Sequence, residues 1–355
     1  MSAPLDPAEL AVLIARLSGV AHEVGEVLRR GAFSPNIKER ADCSAALFTA
    51  DGTLLVQAEH IPVHLGSMPA SVAAAIAALG DRVVPGQQVV LNDPFAGGTH
   101  LNDITVVAPV FAGSPERLVG WVANRAHHAD LGGAAPGSLP ADATEIQQEG
   151  LRIPPVLLTP EVAAIVVASS RTPTERAGDL DAQVGANRLG IERFAALAHH
   201  PLHEVVAYGE RRMRAALADL PDGTWTFADV LDSFGPSPDQ QVPTTIRLTL
   251  TVAGDEATFD FTGTDPQRRG NVNAVEAVTV SAVAWALRSV LDPTIPANGG
   301  ALSPVRVVAP AGSVVAARFP AAVGAGNVEV SQRVADVCLG ALAQVVPHRV
   351  PAASQ

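Results

Sequence analysis

Lysine is almost missing from this chain: among 24 basic residues, Lys38 is the one lysine and the rest are arginines. A phosphate-binding loop of the GxxxxGK[ST] type needs a lysine behind a glycine-rich turn. The context SPNIKERAD around Lys38 does not provide one, and lysine Schiff-base chemistry is equally disfavoured. Any ATP the protein uses is therefore expected to be bound elsewhere than in such a loop. Cysteine is scarce too. Cys43 and Cys338 lie far apart and form no C-x-x-C pair, which excludes a disulfide framework and a thiolate zinc site and points to a reducing compartment. Positive charge is outweighed, with a formal net charge of −12, so neither a nucleic acid nor an anionic membrane is expected as partner. No apolar run reaches the ~18 residues of a membrane helix. The opening MSAPLDPAEL shows neither the basic nor the apolar region of a signal peptide. The expectation is a soluble, cytoplasmic protein.

What is present builds a core. Hydrophobic residues make up 48 % and charged residues 17 % of 355, a globular composition long enough for two domains. Asp6, Pro7 and Glu9 read as a capped helix start, and Leu10, Leu13, Leu17, Val20, Val24 and Val27 follow as one apolar stripe that SPNI should end. Asp51-Gly52 marks a hairpin tip, a small Ala-rich helix should follow Pro69, and QQVVLNDP reads as a strand. Runs over 104–111 and 118–125 flank the turn-rich AGSPER. Helices are expected near 174–199 and 203–219, then a boundary at PDGT, a hairpin turning at Gly254-Asp255, and helices over 274–290 and from Ser331. The fold class is α+β. A helix-rich N-terminal domain, residues 1–220, should carry the site on its hairpins, and a smaller sheet-bearing part should occupy 221–355.

Two segments carry candidate chemistry. FAGGTHLNDITVV, residues 95–107, sets a histidine and two polar residues between a glycine pair and a β-type run. VANRAHHADLGG, residues 122–133, repeats this in mirror order. If 104–111 and 118–125 pair about their turn, Asp103 falls opposite Ala126 and Asn102 opposite His127. Strands ~4.8 Å apart then bring His100, Asp103 and one or both of His127 and His128 within reach of one ion. Asp93 and Asp130 wait in the adjoining loops as further ligands or as acceptors behind them. Imidazole and carboxylate without thiolate suit Mn²⁺, Fe²⁺, Zn²⁺ or Co²⁺. The plainer alternative is two solvated turn ends.

At these residues the sequence resembles the hydantoinase B/oxoprolinase family. That family takes in N-methylhydantoinase B subunits, the matching half of 5-oxoprolinase, and large subunits of acetone and acetophenone carboxylases. The matching stretches include ADCSAALFTADGTLLVQAEHIPVHLGSMPASV, LNDPFAGGTHLNDITVVAPVF, NRAHHADLGGAAPGS, DLDAQVGANRLG, FDFTGTDPQRRGNVNA and VGAGNVEVSQRVADVCLGAL, in family order over nearly the whole chain. The resemblance implies the metal-bearing B subunit of an ATP-dependent cyclic-amide hydrolase. A hydantoinase A-type partner would bind ATP and activate the carbonyl. The alternatives are a ketone carboxylase subunit and a non-catalytic, truncated assembly partner. It also implies manganese, with zinc or iron as alternatives, on His100, Asp103 and His127 or His128, the adjacent pair left undecided. Family chains run on past VPHRVPAASQ, so a C-terminal truncation exposing Val345, Val346 and Val350 is expected.

Other residues carry weaker expectations. His60 and His64 become candidates for substrate contact or for positions behind the ligands, on extended chain because of Pro62. Arg269, Asn271 and Asn273 in GTDPQRRGNVNA are candidates for lining the site, although Asn273 could simply cap the next helix. Cys43 reads better as a small buried hydrophobe than as a nucleophile.

Overall fold

Asp6 does what its position promises. In the computed structural model, which describes residues 5–59 and 61–350, its carboxylate accepts from the backbone N–H groups of Ala8 and Glu9, and Glu9 closes the capping box. The helix it starts, α1 (Pro7–Gly31), buries Leu10, Leu13, Leu17, Val20, Val24 and Leu28. Val27 is exposed, because a 3.6-residue period brings Leu28 onto the stripe instead. SPNI does follow the end of α1, yet it forms a short helix of its own, α2 (Pro35–Lys38).

The first sheet is built from β1 (Cys43–Thr49), β2 (Leu54–Glu59), β3 (Val89–Leu91), β4 (Asp103–Ala112), β5 (Arg117–His127) and β6 (Val156–Leu157), in the order β2-β1-β5-β4-β3-β6. Between β2 and β3 runs α3 (His64–Leu79), which starts earlier than expected. Ile61 and Pro62 form a turn whose carbonyls accept from His64 and Leu65, so Pro62 leads into a helix and not into extended chain. Pro69 sits inside α3. After β6 come α4 (Pro160–Ser169), α5 (Pro173–Ala195) and α6 (His203–Ala218). Thr159 caps α4, which its run of valine, isoleucine and alanine conceals in the sequence.

The second sheet holds β7 (Gly223–Leu231), β8 (Thr244–Ala253) and β9 (Glu256–Asp260), joined beyond α7 (Glu276–Val290) and α8 (Gly299–Leu302) by β10 (Val305–Val308) parallel to β9. The described chain closes with α9 (Glu329–Val345). The fold is α+β. Helices α1 and α5 cover one face of the first sheet, and α3 packs on it from the other side. α7 lies against both α3 and α9, and α9 packs on β7 and β8. Gly66 of α3 allows the closest part of this contact, since a Cβ there would meet the Ser281 backbone nitrogen at 2.7 Å. Val346 is buried, and Val345 and Val350 pack against the second core, so these valines are not the exposed surface expected of them. Among the described residues no helix is long and apolar enough to cross a membrane.

The β4–β5 hairpin differs from expectation by one residue. Phe111 pairs with Leu118 as a simple turn requires, but a bulge lies between Val110 and Phe111, and Val110 pairs with Gly120. The extra residue advances the rest of β5 by one step. Asp103 therefore stands opposite His127, and Ile104, not Asp103, opposite Ala126.

Candidate metal centre

The bulge has a chemical consequence, because it sets a carboxylate and an imidazole on the same face at the end of the hairpin. The turn carrying His100 is held by Gly97, whose φ of 88° is left-handed and whose missing Cβ would lie 2.4 Å from the Ala70 carbonyl oxygen. Three ligand atoms converge. His100 Nε2 lies 3.1 Å from Asp103 Oδ1, His127 Nδ1 lies 3.4 Å from the same oxygen, and the two nitrogens are 3.2 Å apart. Bonds near 2.1 Å place neighbouring ligand atoms about 3.0 Å apart at right angles and about 3.4 Å apart at the tetrahedral angle. The three separations fall in that interval. The set is two imidazoles and one carboxylate with an open side, which fits a divalent transition metal.

The surroundings support the set. Asp103 Oδ2, turned away from the convergence point, accepts from Thr99 Oγ1 and lies 3.5 Å from His64 Nε2. His64, buried at the start of α3, shares its Nδ1 with Ser44 Oγ at 2.8 Å, and its Nε2 has no hydrogen-bond partner. Burial alone would raise the Asp103 carboxyl. The charge and hydrogen bond of His100, with His127 and His64 close by, outweigh it and hold Asp103 well below the usual carboxylate range. At His100 burial pulls down, yet Asp103 wins and the imidazole is raised. His64 is lowered by burial, only partly offset by Asp103.

A cavity of about 370 Å³ opens over the three ligands. Two helices line it at helical spacing: Val278, Ser281, Ala282 and Trp285 from α7, and Ser331, Gln332 and Ala335 from α9, with Val328 just before α9.

Several expected residues are elsewhere. His128, adjacent to His127, points the other way; its Nε2 bonds Gln183 Oε1 of α5 at 2.9 Å. Burial and the nearby Arg176 charge lower its pKa to about 4; its ring faces α5 and is not among the three groups that converge. Asp93 bonds the Phe95 N–H and pairs with Arg152. Asp130 ties its loop together through the N–H groups of Gly132, Gly137 and Arg171 and the Arg171 guanidinium. Neither lines the cavity. The Arg269 side chain is exposed, and Asn271 donates to the Pro140 carbonyl beside a different cavity. Asn273 bonds the carbonyls of Arg268, Gly270 and Ala322 and caps no helix. Cys43 is fully buried, and burial pushes its thiol up to about 12, which suits packing rather than attack. His60 lies outside the described residues.

Three residues at the site had no sequence signal of their own. Asp42, just before β1, lines the cavity with its Oδ2 3.9 Å from His127 Nδ1, and burial, then the Asp103 charge, raises its carboxyl. Asn327 brings its Nδ2 to 3.4 Å from His100 Nε2. Arg125 sits fully buried behind Asp103, bonded to Thr105, Ser67 and Ser71, and burial lowers its pKa to about 10.

The chain is similar to known proteins along its whole length. The family model for hydantoinase B/oxoprolinase matches residues 6–355. A 5-oxoprolinase of Saccharomyces cerevisiae is 37 % identical over 95 % of this chain and 28 % of its own. A protein assigned as the B component of a D-/L-hydantoinase in a Pseudomonas species is 32 % identical over 98 % of this chain and 63 % of its own. This chain thus spans less than two thirds of the relatives it matches. Among solved structures, an ATP-dependent caprolactamase from Pseudomonas jessenii superposes with a TM-score of 0.89 at 29 % identity, over 97 % of this chain and 61 % of the other. An acetone carboxylase shares the fold with a TM-score of 0.88 at 19 % identity, over 98 % of this chain and 50 % of the other.

Proposed function

Since the chain belongs to the hydantoinase B/oxoprolinase family, we propose that it is the metal-bearing part of an ATP-dependent cyclic-amide hydrolase. The observation that carries this reading is the set of three ligand atoms, each 3.1–3.4 Å from the next, at the floor of a cavity. His100, Asp103 and His127 would hold a divalent ion, manganese first and zinc or iron as alternatives. Such an ion supplies Lewis-acid polarisation of a carbonyl oxygen and a more acidic bound water. The protein's own part is positional. Thr99 fixes the Asp103 oxygen that faces away, with His64 Nε2 3.5 Å from it, leaving Oδ1 aimed at the site. Asn327 offers an amide N–H beside His100, where a substrate oxygen can be held. Asp42 on the cavity wall can take a proton from a nucleophilic water. ATP would be bound by a hydantoinase A-type partner, in keeping with the lone lysine of this chain. The likeness to acetone carboxylase is one of fold, and no residue here favours ketone carboxylation over hydrolysis.

Elemental analysis of the full chain purified with its partner tests the reading. We expect about one divalent transition metal per chain, lost in Asp103→Ala with the circular dichroism spectrum kept. A chain that stays metal-free after incubation with manganese, zinc and iron would end it.

A further inference from the structure

The cavity wall says something about the ring it accepts. The α7 stripe presents Val278, Ala282 and Trp285, while α9 adds Ser331 and Gln332 near Asn327. Among the described residues no arginine or lysine lines the cavity. Arg125 and Arg333 are both engaged elsewhere. Arg125 is buried behind Asp103 and occupied by serine and threonine oxygens. Arg333 lies on the other side of α9, pairing with Asp229 beside a separate cavity. The wall does contain an acid, Asp42.

From this we propose that the site selects uncharged cyclic amides, simple lactams or hydantoins with an apolar ring face, and rejects rings that carry a carboxylate. The proposal rests on the metal-site reading above and narrows it. The reason lies in the balance of charge. A divalent ion held by Asp103 and the two imidazoles would be the one cation at this cavity among the described residues. That single cation is engaged by the reacting carbonyl. A ring carboxylate would then leave water for a wall of apolar side chains and the Asp42 carboxyl, with no arginine or lysine beside it among the described residues. An uncharged ring loses little by the same transfer and gains contact with Trp285 and its apolar neighbours. Size agrees, because about 370 Å³ lies at the small end of the ~300–1,000 Å³ usual for small-molecule sites.

A matched pair isolates the charge: 2-pyrrolidinone and 5-oxoproline are the same five-membered lactam without and with a carboxylate. Proton relaxation of each ring, titrated against the manganese-loaded full chain, gives the two affinities. We expect the neutral ring to bind at least about tenfold more tightly, a difference of about 1.4 kcal/mol. Gln332→Arg, which sets a guanidinium at an exposed position on the cavity rim, should narrow or reverse that ratio. Equal or tighter binding of 5-oxoproline by the unaltered chain overturns the selectivity and leaves the metal site standing. Metal uptake with no relaxation of either ring overturns the cyclic-amide reading as well.

Discussion

His127 and His128 are neighbours with the same side chain and opposite fates. His127 closes a ligand set with His100 and Asp103 on the cavity side of the hairpin end. His128 turns to α5 and joins a buried polar seam in which Gln183 also donates to the Ile104 carbonyl and to Asn124. Asn124 bonds Asn187, which reaches Gln88 and the Val106 carbonyl. One end of one strand thus feeds two regions. In the first, two imidazoles and a carboxylate converge at the edge of a cavity. In the second, donors and acceptors largely satisfy one another. The residue type does not decide the role; the face does.

The largest effect that separates the two should come from paired substitutions. His127→Ala should weaken metal binding by more than about 100-fold, beyond the ~10–100-fold usual for residues behind the ligands. Its stability should change little, because His127 is partly exposed at a strand end. His128→Ala should keep the metal and instead lose about 1–3 kcal/mol, the cost of leaving the buried Gln183 oxygen without its donor. Metal titration and urea unfolding of both variants measure this. Metal loss in His128→Ala with His127→Ala unaffected would reverse the assignment.

The seam ends in a buried ion pair, which gives the next effect. Asp179 Oδ2 lies 2.9 Å from Arg176, and Asp179 Oδ1 accepts from the Phe33 and Ser34 N–H groups after α1. Both side chains are fully buried. Asp179→Ala leaves the guanidinium with the half-exposed Glu175 and should cost about 3–5 kcal/mol. Metal affinity of the folded variant should be unchanged, as read by titration below its unfolding midpoint.

The two regions were also unequally legible in the sequence. The β4–β5 hairpin could be read, because AGSPER separates two strand-like runs and the histidines sit at their shared end. The choice between His127 and His128 could not. A one-residue slip swaps the faces of a strand, and the bulge beside Val110 leaves no mark that a single sequence reveals. Asp42 and Asn327 were missed for another reason. Each reaches the site from a remote segment, the residue before β1 and the turn before α9, and only tertiary packing brings them there. Asp93 and Asp130 were drawn in because they flank the motifs. Each has instead an arginine of its own nearby in space, Arg152 and Arg171.

A pH effect comes from a third buried group. Glu149 accepts from the Val323 and Gly324 N–H groups, fixing the turn that leads to Asn327. Burial raises its carboxyl to about 7 against those two hydrogen bonds. The folded state therefore holds a proton that the unfolded chain releases near the ordinary value of 4.5. Between these values stability should fall as pH rises, with the contribution fully present below 4.5 and lost above about 7. The size is about 3 kcal/mol at one pKa unit per ~1.4 kcal/mol. Glu149→Gln cannot titrate, so its stability relative to the unaltered chain should improve across that window. Parallel curves for the two proteins between about pH 4.5 and 8 would refute the buried acid.

The smallest effect is expected at Asp93, and it sharpens the boundary of the metal region. Asp93 Oδ2 pairs with Arg152 at 3.2 Å, but the arginine side chain is 42 % exposed, so solvent screens the pair. Exposed pairs contribute about 0–1 kcal/mol. The Oδ1 bond to the Phe95 N–H survives in Asp93→Asn, because an amide oxygen accepts as a carboxylate does. The substitution should therefore shift stability by less than about 1 kcal/mol. It should leave metal affinity within about twofold, well short of the ~10–100-fold cost of losing a residue that orients a ligand. A tenfold loss of metal affinity in Asp93→Asn would show that the turn before His100 tunes the ligands electrically, and that the metal region extends past the residues that touch it.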